Sequence, residues 1–341
     1  MAYRVAINGF GRIGRDYLRC LLERGQLGKT VDLVAINDLW DPATLAYLLA
    51  NDSTFGPLSW NVSHDTASIT VDGRRIPVTA QRDPAKLNWG ELSVDLVIES
   101  TGKLRGRDDA AQHLKAGAAR VIITAPGKNV DATLVMGVNE KTYDKVRHEI
   151  LSAASCTTNC VAPMASVLQQ AFGIERGYLT TVHSYTNDQV LLDSPHKDPR
   201  RARSAAVNII PTSTGAAKAV GLVLPELNGR LDGVALRVPV ENGSLSDLTC
   251  ALSAETTADQ VNAAFAAAAR SRLSGILRYT TSPVVSRDVV GDPASCIFDA
   301  TLTQANGNLV KVFGWYDNEW GYTNRLVDLT LLTAAPVAAG E

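Results

Sequence analysis

Residues 152–160 read SAASCTTNC, two cysteines four apart among small hydroxyl and amide side chains. Three chemistries suit that spacing: a metal clip, a disulfide or a nucleophilic thiol. A tetrahedral metal site needs two further ligands, and the chain offers neither a second cysteine pair nor a His-x-x-x-His. A disulfide within one helical turn would constrain little of the fold and suits a reducing compartment badly. A nucleophile at Cys156 would stand where a strand-like segment gives way to a helix, whose first N–H groups and dipole stabilise a thiolate. It also needs a base. His183, at the end of the strand pattern in TVHSYTNDQ, is the best candidate, because strand ends present side chains to clefts. A lone histidine can equally be structural, and these residues alone leave the choice open. Cys160 reads as a small core residue. His64, His113, His148 and His196 lie in polar stretches and read as surface.

A second constellation is Gly9-Phe10-Gly11-Arg12-Ile13-Gly14, which fits G-x-G-x-x-G directly after a strand pattern and at the start of a helical one. The first glycine permits the tight turn, the second lets backbone approach a pyrophosphate, and the third lets helix and strand pack closely. Asp38 ends the next strand, where a carboxylate can bond an adenosine ribose diol. A glycine-rich turn in a nucleotide-free fold is the plainer alternative; the order strand, loop, helix, acid favours dinucleotide binding.

These residues need elements to hold them. Apolar spacing predicts strands at 3–8, 31–36, 94–99, 121–124 and 134–138, a hairpin at 68–71 and 75–78, and helices at 12–24, 41–49 and 108–116. Such alternation argues for a parallel sheet covered by helices. After the cysteines come a helix at 161–171, longer strand patterns at 177–183, 231–238, 246–254 and 309–316, and helices at 258–273 and 318–333. The expected fold is an α/β Rossmann-type dinucleotide-binding domain (1–155, with the C-terminal helix 318–341 packing back on it) plus an α+β catalytic domain (156–317) with a mostly antiparallel sheet. The polar stretch 187–208 has no period, and long irregular segments tend to be functional.

Composition bounds the rest. The 341 residues suit two domains, and 45% hydrophobic with 20% charged residues is globular. A net charge of −2 gives no pull toward nucleic acid or anionic membrane. No apolar run reaches a membrane span, and the start MAYRVAINGF lacks the pattern of a cleaved signal. Five scattered cysteines do not make a disulfide scaffold, so a reducing, cytoplasmic setting is expected.

INGFGRIGR, SCTTNC, TVHSYTNDQ, PTSTGAAKAVG, RVP and WYDNEWGYTNR occur in this order across nearly the whole chain. With them the sequence closely resembles the phosphorylating glyceraldehyde-3-phosphate dehydrogenase family of glycolysis and gluconeogenesis. The resemblance implies that Cys156 attacks the aldehyde with His183 as base, that NAD takes the hydride, and that inorganic phosphate cleaves the thioester. It implies that Thr186 and Arg237 hold the substrate phosphate. Ser155, Thr157, Thr214 and Gly215 would hold the attacking phosphate. Arg12, Ile13, Thr101 and Asn318 would join Gly9, Gly11, Gly14 and Asp38 at the cofactor. A homotetramer is implied, with the basic run at 196–203 packed between subunits, and no metal.

Three departures stand out. Asn51-Asp52-Ser53-Thr54-Phe55-Gly56 replaces the usual Tyr-Asp-Ser-x-His-Gly, and Leu104 replaces an aromatic. Ser194-Pro195 stands where NAD users commonly carry Leu-Pro and NADP-using plastid relatives carry small polar residues without the proline. Asp38 repels a 2′-phosphate, and Leu39 matches the NAD users, so NAD is expected, with NADP tolerance conceivable. The competing activities are oxidation of erythrose 4-phosphate and non-catalytic nucleotide binding. The Tyr-Thr of HSYTNDQ and the STGAAKA signature favour the triose.

Overall fold

The computed structural model describes residues 2–336. Two compact units emerge: one takes the chain up to Leu134, Lys141–Ala154 and the residues from Thr323 onward, the other Val135–Glu140 and Ser155–Tyr322.

The first unit is built on nine strands among the described residues: β1 (Tyr3–Asn8), β2 (Val31–Asn37), β3 (Val62–His64), β4 (Ser68–Val71), β5 (Arg74–Thr79), β6 (Leu96–Glu99), β7 (Val121–Ile123), β8 (Ala132–Thr133) and β9 (Ile150–Ser152). Their order is β3-β4-β5-β2-β1-β6-β7-β9-β8. From β5 to β8 every neighbouring pair is parallel. Only the β3-β4-β5 edge is antiparallel. Parallel strands are covered on both faces, which is why VAIN, LVIE and VII are continuous buried runs rather than alternating ones. Helices α1 (Arg12–Glu23), α2 (Pro42–Ala50) and α3 (Arg107–Lys115) supply cover. Asp41 caps α2, accepting from the Thr44 N–H at 2.9 Å, with Pro42 in the first turn. The sheet order turns at β1, with β2 on one side and β6 on the other, so the glycine loop leaves a topological switch point.

The second unit carries β10 (Ile174–Ser184), β11 (Ile210–Ser213), β12 (Leu231–Val238), β13 (Ser244–Leu252), β14 (Leu277–Thr280), β15 (Cys296–Asp299), β16 (Gln304–Asn306) and β17 (Leu309–Tyr316), ordered β11-β12-β10-β13-β17-β15-β14 with β16 on β17. Pairing is antiparallel except for β10-β12 and β14-β15. Strict alternation of burial along β13 marks a sheet with one covered face. That cover includes α4 (Cys156–Phe172), which lies against β13, β15 and β17, and α6 (Ala258–Arg270), which packs on α4; α5 (Ala216–Val223) packs on β12. The final helix, α7 (Trp320–Ala334), ends in the first unit, where Thr330 Oγ1 meets the Tyr17 hydroxyl at 2.9 Å and Asp328 pairs with Arg24 at 2.7 Å. The expected extension of this helix to 341 runs past residue 336, and residues 337–341 lie outside the described residues.

Three expectations need correction. Residues 134–138 are no strand: Gly137 at φ +80° turns the chain, and the Val138 N–H returns to the Val135 carbonyl at 3.1 Å. The helix after the cysteines begins at Cys156, because Ser155 caps it by accepting from the Thr158 N–H at 3.0 Å. His113 is fully buried, not on the surface.

Gly314 on β17 sets how closely α4 approaches. A Cβ there would stand 2.5 Å from Met164 Sδ, 2.7 Å from Cys296 Sγ and 3.1 Å from Cys160 Sγ. Gly314→Ala is therefore expected to destabilise the fold by about 1–3 kcal/mol through overpacking. A lower urea midpoint would show it; an unchanged midpoint would mean that the sulfurs yield freely.

Candidate active site

In the second unit the Ser155 cap makes Cys156 the first residue of a helix of 17 residues. Its thiol thus sits at the positive end of the helix dipole. His183 Nε2 stands 3.4 Å from Cys156 Sγ. The imidazole comes from the carboxyl end of β10, where the parallel register sets His183 opposite Arg237 of β12. That pairing brings Arg237 Nη1 to 2.8 Å from His183 Nδ1 and 2.9 Å from the Ser184 carbonyl. Nδ1 also lies 2.7 Å from the Ser184 carbonyl, so two partners compete for it. With the guanidinium as donor, Nδ1 accepts and the ring hydrogen sits on Nε2; with the carbonyl as acceptor, Nδ1 carries the hydrogen and Nε2 faces the sulfur as an acceptor. Tyr316 holds the ring from the side, edge-on at 5.9 Å, with its hydroxyl 2.8 Å from both Thr157 Oγ1 and Thr181 Oγ1.

Burial pushes the Cys156 thiol up, while the Arg237 cation and the Thr157 N–H pull it the other way without overcoming it. Burial, with Arg237 second, pulls His183 down to about 3, so the imidazole is neutral at ordinary pH. Arg237 Nε is buried with no hydrogen-bond partner among the described residues. An unbonded buried donor on a cation is chemically suited to an anion.

The other expected anion ligands are spread around this core. Ser155 and Thr158 hydroxyls meet at 2.7 Å, and Thr157 is committed to Tyr316. Thr214 Oγ1 accepts from the Ala216 N–H at 3.2 Å, Gly215 precedes α5, and the Thr186 N–H donates to Gln189 Oε1 at 3.3 Å. Sequence reasoning missed Arg201, which it counted within a basic run. Its Nε bonds Thr212 Oγ1 at 3.0 Å, it pairs with Asp188, and its charge acts on both His183 and Arg237. No signal separated it from Arg200 or Arg203 in the sequence. Asn318 Oδ1 accepts from Ser184 and Ser244 hydroxyls, both at 2.8 Å, which fixes its amide and leaves the NH₂ group to donate. The residue before it, Asp317, takes the Trp320 N–H at 2.7 Å at the start of α7.

In the first unit a cavity of about 430 Å³ is lined by Asn8, Gly9, Phe10, Gly11, Asp38 and Thr101, among others. Its volume falls in the usual range for small-molecule sites. Gly9 turns at φ +93°, and a Cβ on it would strike Thr101 N at 2.7 Å. Gly11 has nothing within 4 Å of where a Cβ would stand, and a Cβ on Gly14 would meet the Gly9 carbonyl at 2.4 Å. Turn, open approach and tight packing are the three demands a pyrophosphate loop makes, so this cradle fits a dinucleotide. Asp38 accepts from the Phe10 N–H at 2.7 Å and the Trp40 N–H at 3.1 Å. Arg12, the first residue of α1, is forked onto Asp52 at 3.0 and 3.3 Å, and Ile13 follows it, half-buried. Among the described residues no group of three or more His, Cys, Asp or Glu is placed to hold a metal ion, and no helix is long and apolar enough to cross a membrane.

A dinucleotide-type α/β unit and a cysteine–histidine pair on a second, mostly antiparallel unit are the parts of a pyridine-nucleotide oxidoreductase. Residues 3–107 match the glyceraldehyde 3-phosphate dehydrogenase NAD binding domain, and residues 155–318 match the C-terminal domain of the same family. Glyceraldehyde-3-phosphate dehydrogenase from Streptomyces coelicolor is 59% identical over 97% of this chain and 98% of its own length. The Geobacillus stearothermophilus protein of that name is 55% identical over 98% of this chain and 99% of its own. The chain belongs to the glyceraldehyde-3-phosphate dehydrogenase family.

Cys156 is half-buried, and the other four cysteines are fully enclosed. One thiol should therefore react with iodoacetamide in the native protein, and four only after unfolding. His183→Asn should slow that reaction about tenfold, the loss of one hydrogen bond to a charged sulfur. Equal rates at several thiols would remove Cys156 from its assigned place.

Proposed function

We propose that the protein catalyses the phosphorylating oxidation of D-glyceraldehyde 3-phosphate to 1,3-bisphosphoglycerate. The observation that carries this is the 3.4 Å contact of Cys156 Sγ with His183 Nε2 at a helix start, beside an arginine with an unbonded buried donor. Thr186 and Arg237 hold the substrate phosphate, and an anion drawing Arg237 off Nδ1 changes the histidine. Nδ1 is then free to carry a hydrogen given to the Ser184 carbonyl, 2.7 Å away, and Nε2 becomes a base for the thiol proton. Cys156 adds to the aldehyde carbon, with its own N–H helping to hold the oxyanion. NAD, when bound, accepts the hydride, and a thioester remains on Cys156. Inorganic phosphate, held by Ser155, Thr157, Thr214 and Gly215, attacks that carbonyl carbon and releases the acyl phosphate, returning the thiol.

Residues 1–155 with the C-terminal helix act as the cofactor domain and 156–317 as the catalytic one. Gly9, Gly11 and Gly14 cradle the pyrophosphate with Arg12 and Ile13 beside them. Asp38 takes the adenosine ribose, Thr101 borders the cofactor, and Asn318 donates to the nicotinamide carboxamide. Asp38 favours NAD, and Ser194-Pro195 leaves room for some NADP use. Leu191, Leu192, Val207 and Ile209 are 68–78% exposed in and beside the irregular segment, which supports its burial between copies in a homotetramer. The cytoplasm is the expected location.

NADH formation from glyceraldehyde 3-phosphate should depend on phosphate or arsenate. It should fall more than about a thousandfold in Cys156→Ser. The kcat/KM for NAD should exceed that for NADP. A preference for erythrose 4-phosphate would reassign the substrate, and NAD binding without turnover would make this a binding protein.

A further inference from the structure

Beneath the cofactor cavity lies a buried polar chain that the mechanism above does not use. Trp89 Nε1 donates to His113 Nδ1 at 3.0 Å. An indole nitrogen is a donor only, so it dictates the tautomer: Nδ1 accepts and the hydrogen is on Nε2. Nε2 then donates to Glu99 Oε2 at 2.9 Å. The same oxygen accepts from Asn8 Nδ2 at 2.6 Å. Glu99 Oε1 accepts from the Thr101 N–H at 2.9 Å and from the Thr101 hydroxyl. The chain continues from Asn8 Oδ1 to Asn37 Nδ2 at 2.7 Å, and Asn37 Oδ1 receives the Gln81 N–H at 2.9 Å.

The layout of this chain is specific. Its inner members, Trp89, His113 and Glu99, are 0–2% exposed and do not line the cavity. Its outer members, Asn8, Asn37, Gln81 and Thr101, all line it. Asn8 and Asn37 end β1 and β2, and Thr101 follows β6, so the chain ties together three adjacent strand ends at the switch point. Thr101 is also the residue against which Gly9 is packed. Every donor to Glu99 in this chain is neutral, so the carboxylate is held by geometry rather than by a counter-charge. Each donor then has little freedom to move, because a buried acceptor left short of donors is costly.

We infer that Glu99 and His113 are positioning residues for the cofactor, locked by Trp89, and that they set the affinity for NAD by fixing Thr101 and Asn8 on the cavity floor. The inference rests on the reading of the cavity as the NAD site. It assigns a function to the histidine that the sequence reading left on the surface.

The test compares His113→Leu, His113→Gln and Trp89→Phe with the wild type by NAD titration calorimetry, ADP-ribose titration, steady-state kinetics and iodoacetamide reactivity. His113→Leu should raise the dissociation constants of NAD and ADP-ribose about tenfold, as one hydrogen bond to a buried carboxylate is lost. The kcat at saturating NAD and the Cys156 alkylation rate should stay within about twofold. His113→Gln, which can still donate to Glu99, should recover most of the affinity. Trp89→Phe, which removes the lock on the tautomer together with some core volume, should fall between the two and serves if His113→Leu does not fold. Unchanged NAD affinity in the folded variants, with only thermal stability lowered, would overturn the inference and leave a plain packing role. A wild type that binds no NAD would overturn the cavity reading itself, a result distinguishable because it needs no variant.

Discussion

The arrangement of Cys156, His183 and Arg237 hangs on the register between β10 and β12. His183 and Arg237 face each other because eight consecutive residue pairs, from Gly177 with Leu231 to Ser184 with Val238, run in step. A slip of β10 by one residue would turn His183 to the opposite face, away from Arg237. Antiparallel pairing of β10 with β13 on its other side makes such a slip costly, since both ladders would have to move. The sulfur is placed independently, by the Ser155 cap that starts α4 at Cys156 rather than later. The 3.4 Å contact of sulfur and imidazole is thus the meeting of a strand ladder and a helix cap.

The first unit is shaped by what glycine lacks. At Gly9 a side chain would collide with the backbone of Thr101, and at Gly14 with the Gly9 carbonyl, so β1, its loop and α1 close up only without them. At Gly11 there is room, and the missing Cβ keeps the approach to the loop open. Ser100 reinforces the turn by donating to the Gly9 carbonyl at 2.6 Å.

Much of this was legible in the sequence, for physical reasons. β1, β12 and β17 match their expected bounds because apolar patterning and burial coincide there. The hairpin at Asp72-Gly73 was readable because both residues adopt positive φ. The start of α4 was misjudged because Cys156, Thr157, Thr158 and Asn159 carry no apolar period, although most of them are buried. Short strands such as β9 and β15 escaped because three or four residues hold too little pattern. His113 was misplaced because its neighbours in sequence are polar. Its burial depends on Trp89 and Glu99, which are distant in the chain, and no local period reports such a contact. Arg201 escaped for the same reason: only Asp188 and Thr212 distinguish it from its neighbours.

The surroundings of Glu99 and of Cys156 treat buried polarity in opposite ways. Around Glu99 each oxygen has donors, and each donor residue is itself anchored to a strand end or to α3. Saturation of this kind resists movement, which suits a floor that must present one shape to a ligand bound and released in every turnover. Around Cys156 the polarity is incomplete. Arg237 keeps an unbonded Nε and competes with the Ser184 carbonyl for His183 Nδ1. On the proposed reading, an anion that bonds Arg237 Nε completes the network. Binding energy then has a direct route to the thiol, because moving Arg237 decides which nitrogen of the imidazole carries the hydrogen.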